Sequence, residues 1–176
     1  MRSEVSPYPP GMPPGLPPGP LTDLSDLIER LDHIAIGVVT IEAGLPMMGF
    51  VGGIFVNGGD HLSGNFRWAQ FELKDGSRLE LIAPLSPDSF VQRFLDQRGE
   101  GLHHITYKVS DVQVAADRAN ALGYRTTGLE IDPRWSEVFL HPTEAHGVLI
   151  QLAAWPDNPW PPTTLEDVLK GRIIDD

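Results

Sequence analysis

The amino-acid sequence predicts an α+β fold: two βαβββ modules in tandem, forming a curved mixed sheet around a metal-binding cleft. Three observations carry that expectation. Alternating apolar segments of strand length are interleaved with segments of helical period. The order strand, helix, strands occurs twice, and polar residues recur at one fixed separation. His33 and His104 stand 71 positions apart, as do Glu80 and Gln151, and the Asp75-Gly76 pair falls on His146-Gly147 at the same separation. A chain of 176 residues with 41% hydrophobic content buries one substantial core, so both modules are expected in one domain.

The first 20 residues contain eight prolines, and their PPG triplets recur every four residues, which excludes the three-residue period of collagen. Residues 1–20 are read as a disordered Pro-rich tail with no assigned role, and residues 21–155 as the domain. LTDLSDLIERL has apolar residues at 21, 24, 27, 28 and 31 behind Thr22 and Asp23, the pattern of a short amphipathic helix. LDHIAIGVV (31–39) alternates as a strand, and EAGLPMMGF is a weak helical or turn segment limited by Pro46. The run NGGDHLSGN reads first as a mobile loop and second as a lid. NFRWAQFEL and RLELIAPL make two antiparallel strands around the Asp75-Gly76 turn and close a first module over 31–85. SPDSFVQRFLDQRG (86–99) is a linking helix, with Ser86 or Asp88 near its cap and Gly99 as its stop. The second module, 103–155, runs through the strand HHITYKV, the helix DVQVAADRANALG, and strands in YRTTGLEI, WSEVFLHP and GVLIQLAAW. Residues 156–176 make a C-terminal extension with a short helix.

Thirteen basic residues against 24 acidic ones give a formal charge of −11, a field that repels phosphate backbones and anionic membrane surfaces. Nucleic acid and membrane are therefore not expected as partners. An anionic small-molecule substrate needs a local basic patch, for which Arg67, Lys74, Arg78, Lys108 and Arg134 are the candidates. With no cysteine there is no disulfide, no thiolate nucleophile and no Cys-ligated zinc, so a bound metal must use nitrogen and oxygen ligands. No apolar run reaches the ~18 residues of a membrane span, and the first residues lack a signal-peptide core, so a cytoplasmic protein is expected.

Parity along the strands selects the ligand candidates, because successive side chains point to opposite faces. Ile34, Ile36 and Val38 share one face and leave His33 on the other; Ile105, Tyr107 and Val109 do the same for His104 rather than His103. Leu79, Leu81 and Ala83 isolate Glu80, and Val148, Ile150 and Leu152 isolate Gln151. Any one of the four alone is the ordinary case of a satisfied polar side chain at a strand edge. Together, at one separation, they converge on one sheet face, where two imidazoles, a carboxylate and a carboxamide oxygen can hold a divalent ion. His103 is read as packing behind the site, and His141, Glu144 and His146 as hairpin-loop residues.

The stretch LELIAPLSPDSFVQRFLDQRGEGLHHITYKVSD, with LDHIAIGV and FLHPTEAHGVLIQL, resembles methylmalonyl-CoA epimerases and, more broadly, the glyoxalase and dioxygenase members of the vicinal oxygen chelate superfamily. The likeness covers roughly residues 31–155. It implies one divalent ion, Co, Ni, Mn, Zn or Fe, on His33, Glu80, His104 and Gln151, with Gln151 standing where the family carries glutamate. It further implies exchange of an α-proton through a metal-stabilised enediolate, a small-molecule substrate such as an acyl-CoA, and a homodimer. Glu80 and Gln151 are the catalytic candidates on the ligand strands. Between Glu42 and Glu72, where such epimerases carry a second catalytic glutamate, only Asp60 and His61 are titratable near the loop before the third strand. A glyoxalase-type lyase, an Fe(II) dioxygenase on the same two-His, one-carboxylate set, and a non-enzymatic small-molecule binding protein are the alternatives. Gln151→Glu is expected to raise metal affinity.

Overall fold

A computed structural model describes residues 23–157 and 159–173. The Pro-rich segment 1–20 lies outside the described residues. The elements in chain order are β1 (Ile28–Gly37), α1 (Ile41–Phe50), β2 (Ile54–His61), β3 (Phe66–Glu72), β4 (Arg78–Pro84), α2 (Phe90–Arg98), β5 (Gly101–Val109), α3 (Val112–Ala121), β6 (Thr126–Glu130), β7 (Ser136–Leu140), a 3₁₀ turn (Pro142–Glu144), β8 (Leu149–Ala154) and α4 (Leu165–Leu169). All eight strands form one sheet in the order β2-β3-β4-β1-β5-β8-β7-β6. β1 pairs in parallel with β4, and β5 with β8. The antiparallel β1–β5 pairing joins the two modules, so the four ligand strands are the four central ones.

The sheet buries each module's helix on its outer side. In the first, Leu81 and Ala83 of β4 and Ala69 and Phe71 of β3 pack with Ile41 and Met48 of α1. Gly44 is what lets α1 come so close: a Cβ there would meet Leu81 at 2.5 Å. In the second, Leu152 and Val138 pack with Val112, Ala115 and Ala116 of α3. Thr40 and Asp111 cap the two helices by accepting from Ala43 N and Val114 N. Pro46 does not limit α1; it sits inside the helix on its exposed side. The linking helix is capped by Ser89 rather than Ser86 or Asp88, and Gly99, with φ 73°, ends it.

Two expectations are corrected. Residues 23–31 do not form a helix: a turn precedes β1, which begins at Ile28 and pairs with β5. The apolar spacing is satisfied instead by Leu24, Leu27 and Ile28 packing into the second core. The glycine-rich run is no mobile loop either, since Asn57 to His61 belong to β2 and pair residue by residue with Gln70 to Phe66 of β3. Gly58 permits the approach, because a Cβ would lie 2.5 Å from the Trp68 carbonyl oxygen.

The extension after β8 folds back over β2. Val168 of α4 is fully buried in the first core, Thr163 donates to the Gly58 carbonyl, and Asp60 bridges to Ile173. Among the described residues no helix is long and apolar enough to cross a membrane.

Candidate metal centre

The inner face of the sheet lines a cleft of about 930 Å³. His33, Glu80, His104 and Gln151 all face it and are all buried, at 2, 7, 7 and 6% exposure. Alternation places them there: the neighbouring Leu79, Leu81, Ile150 and Leu152 point into the cores behind. His33 Nε2 lies 3.5 Å and His104 Nε2 3.9 Å from Glu80 Oε2. The three donor atoms stand within 4.8 Å of one another, close to the spread of donors that each make a bond of about 2.0–2.2 Å to one ion.

Each donor has a supporting partner. His33 Nδ1 sits 2.9 Å from Asp32 Oδ2, and Arg30 holds the other carboxylate oxygen, Oδ1, at 2.6 Å. An imidazole whose far nitrogen donates to a carboxylate keeps its near nitrogen turned to a metal. Glu80 Oε1 accepts from Gln70 Nε2 at 3.1 Å. Gln151 Oε1 accepts from the Thr106 hydroxyl at 2.5 Å, and Gln151 Nε2 donates to Glu137 Oε2 at 2.6 Å. Thr106 Oγ1 is also 2.9 Å from His33 Nε2.

The electrostatics favour a cation. Burial opposes charge on His33, yet Glu80 and Asp32 outweigh it and push its pKa up to about 9. Burial, with His33 and His103 nearby, holds His104 well below the ordinary histidine value, so it presents a neutral ring. Burial pushes the Glu137 carboxyl up against the lowering effect of the Trp135 and Gln151 hydrogen bonds. A divalent ion suits the donor set of two imidazole nitrogens, one carboxylate and an amide oxygen, with His33 giving up its proton as the ion binds.

Other sequence candidates divide. His61 lines the cleft at the end of β2, its ring tilted on Phe66 and its Nδ1 accepting from Gly64 N. Asp60 is turned to the opposite face, where Arg67 holds it through two hydrogen bonds of 2.5 and 3.0 Å; the β2–β3 register pairs the two and takes both out of the cleft. Of the basic candidates, Arg78, Lys108 and Arg134 line the cleft, Arg30 joins them, and Arg67 and Lys74 do not. His103 packs edge-on against Phe94, with its Nδ1 2.8 Å from His104 Nδ1, and burial lowers it to about 4. His141 accepts from Thr143 N in the 3₁₀ turn, Glu144 pairs with Arg125, and His146 sits in the turn at φ 55°. Asp32, Gln70 and Glu137 were not singled out from the sequence. Glu137 was open to the same parity argument, since apolar Val138 beside it leaves Glu137 on the face of Gln151.

The strand order, the paired modules and the inward-facing donor set define a class. The chain belongs to the Glyoxalase/Bleomycin resistance protein/Dioxygenase superfamily, whose family model matches residues 32–135. Within it, the chain is 31% identical over 131 residues to the ethylmalonyl-CoA/methylmalonyl-CoA epimerase of Cereibacter sphaeroides, covering 72% of this chain and 98% of that one. Among solved structures, the methylmalonyl-CoA epimerase of Mycobacterium tuberculosis superposes with a TM-score of 0.68 at 27% identity, over 75% of this chain and 91% of that one. A variant of the Streptomyces coelicolor methylmalonyl-CoA epimerase in complex with 2-nitronate-propionyl-CoA gives 0.65 at 29% identity, over 73% and 98%.

Proposed function

We propose that this protein is a divalent-metal-dependent enzyme that exchanges the proton α to a thioester carbonyl, in the manner of a methylmalonyl-CoA epimerase. The observation that supports this most is the convergence of His33, Glu80 and His104 in one cleft of a chain whose relatives bear that name. The ion, one of Co, Ni, Mn, Zn or Fe, supplies Lewis acidity toward a substrate oxygen when bound. The chain's own residues do the rest. Asp32 and Arg30 orient His33. Glu80 serves as ligand and as proton acceptor, its free rotation removed by Gln70. Gln151 offers a carbonyl oxygen from the second module and takes up no proton. His61 is the titratable group at the β2 side of the cleft, and Phe66, Trp68 and Phe139 wall it with apolar surface. Arg30, Arg78, Lys108 and Arg134 give the rim cations for the anionic groups of an acyl-CoA.

The same reading includes a cytoplasmic homodimer. The support for a dimer is exposed apolar surface beside the edge strand: Phe50 at the end of α1 is 91% and Ile54 at the start of β2 74% exposed. Sedimentation at micromolar concentration reads it, and a monomer contradicts it.

The two-His, one-carboxylate trio favours a second reading, an Fe(II) enzyme of oxygen chemistry. One experiment separates the two. Protein purified without added metal is analysed for its metals, then loaded with Co²⁺ or Mn²⁺ and incubated with methylmalonyl-CoA in D₂O. Deuterium at the α-carbon supports the epimerase; iron as the native metal without exchange supports the oxygenase; neither metal uptake nor exchange overturns both.

A further inference from the structure

A glutamine in a ligand position has a difficulty that a glutamate lacks. Its oxygen and its NH₂ occupy nearly the same space, and the flipped amide turns two N–H donors toward the cation. We infer that Glu137 is a positioning residue that locks the Gln151 carboxamide with its oxygen turned toward the metal centre, so that a neutral side chain can serve where the resembling epimerases carry glutamate.

The hydrogen bonds around Gln151 run in one direction. Glu137 Oε2 accepts from Gln151 Nε2 at 2.6 Å and from Trp135 Nε1 at 2.7 Å. At the other end the Thr106 hydroxyl donates to Gln151 Oε1 at 2.5 Å, and the same hydroxyl oxygen lies 2.9 Å from His33 Nε2. Thr106 can donate or accept and so decides nothing. Glu137 Oε2, already the target of two N–H groups, has only acceptor capacity to offer. Flipping the amide would set oxygen against oxygen at that distance. Trp135 holds Glu137 in turn, and its ring stacks on Trp155 at a 4.5 Å centroid separation, which fixes the outer end of the chain of bonds.

On this inference Gln151→Glu alone does not tighten metal binding. That variant sets two carboxylates against each other where one N–H···O bond stands, and the gain is withheld until Glu137 is changed as well.

The inference rests on the metal reading only for its consequence, so two measurements are made on the full-length protein. The first is the ¹⁵N-correlated side-chain amide signal of Gln151 in metal-free protein, assigned by its loss in Gln151→Ala. It should show one amide proton shifted far downfield and slow to exchange, and that signature should disappear in Glu137→Gln. The second is Mn²⁺ affinity: Glu137→Gln should lose about 10–100-fold, the usual effect of removing a group that orients a ligand. The reciprocal double variant Glu137→Gln, Gln151→Glu should recover the wild-type value. A Gln151 signal that Glu137→Gln leaves unchanged overturns the inference whatever the metal does, and so does a double variant no better than the weaker single one. If wild-type protein shows the shifted amide but takes up no Mn²⁺, the orientation stands and the metal-dependent reading fails. Should Glu137→Gln not fold, the wild-type signal decides alone: an averaged, rapidly exchanging pair overturns the lock.

Discussion

The two modules solve the same problem with the same two side-chain types in exchanged roles. On the first, the carboxylate of Glu80 occupies the ligand position and the amide of Gln70, on the adjacent strand, donates to it. On the second, the amide of Gln151 occupies the ligand position and donates to a carboxylate, Glu137, on the adjacent strand. The histidines differ likewise. His33 is gripped by Asp32 and Glu80 and pushed toward the charged form, whereas His104 is pushed toward the neutral form by burial and by the imidazoles of His33 and His103 beside it. Duplicated backbones at a constant offset thus do not impose duplicated electrostatics: the first half places its carboxylate at the candidate ligand position and the second places its carboxylate one side chain further out. On the proposed reading, proton transfer is a task for the first module.

The largest effect should come from that asymmetry. Glu80→Gln removes the one ligand carboxylate and should lower solvent-deuterium exchange by about 10²–10⁴-fold, the range of a lost general base, while Gln151→Ala should cost chiefly metal affinity. Comparable losses of exchange at fixed metal occupancy in both variants would erase the division of labour.

Next in size is a test of whether the halves are equal as structure. Leu81 and Leu152 occupy equivalent positions, at 0 and 1% exposure, each in its own core. Leu81→Ala and Leu152→Ala should each cost about 2–5 kcal/mol in denaturant unfolding, with one cooperative transition, because β1–β5 pairing ties the modules into one sheet. Two resolved transitions would show modules that unfold separately.

Asp32→Asn should weaken Mn²⁺ binding by about 10–100-fold through loss of the carboxylate that orients His33, with no counterpart in the second module, where His103 is the neighbour. Titration of unfolding against pH reads the same contrast at smaller amplitude. His33, raised from 6.5 to about 9, contributes stability that is full below about pH 6.5 and is lost as pH rises toward 9. His103, lowered to about 4, contributes stability present above pH 6.5 and lost as pH falls toward 4. Metal-free protein should be most stable near pH 6.5, and Asp32→Asn should flatten only the alkaline limb.

Much of this arrangement was legible in the sequence because strand alternation is a period of two and tolerates no drift. The four ligand candidates, the hairpin turns and the module order follow from it. What escaped did so for local reasons. Asp32, next to His33, belongs by strict alternation to the opposite face; a bulge between Leu31 and His33 in the β1–β5 register gives β1 an extra residue and brings both side chains to the cleft. β2 was hidden by Gly58 and Gly59, which lack the β-branched signature of a strand, although Gly58 is required for its approach to β3. Asp60 was misplaced with it, since only the β2–β3 register pairs it with Arg67 on the far face.

On the proposed reading, strand parity rather than proximity selects the ligand from the His103-His104 pair, and metal stoichiometry separates the two histidines. Wild type, His103→Ala and His104→Ala are each equilibrated with Mn²⁺, freed of excess ion and analysed for bound metal per chain. The predicted result is one ion in wild type, one in His103→Ala, and none in His104→Ala. Retention of the ion by His104→Ala with its loss from His103→Ala, or a wild-type protein that holds none, would contradict the account.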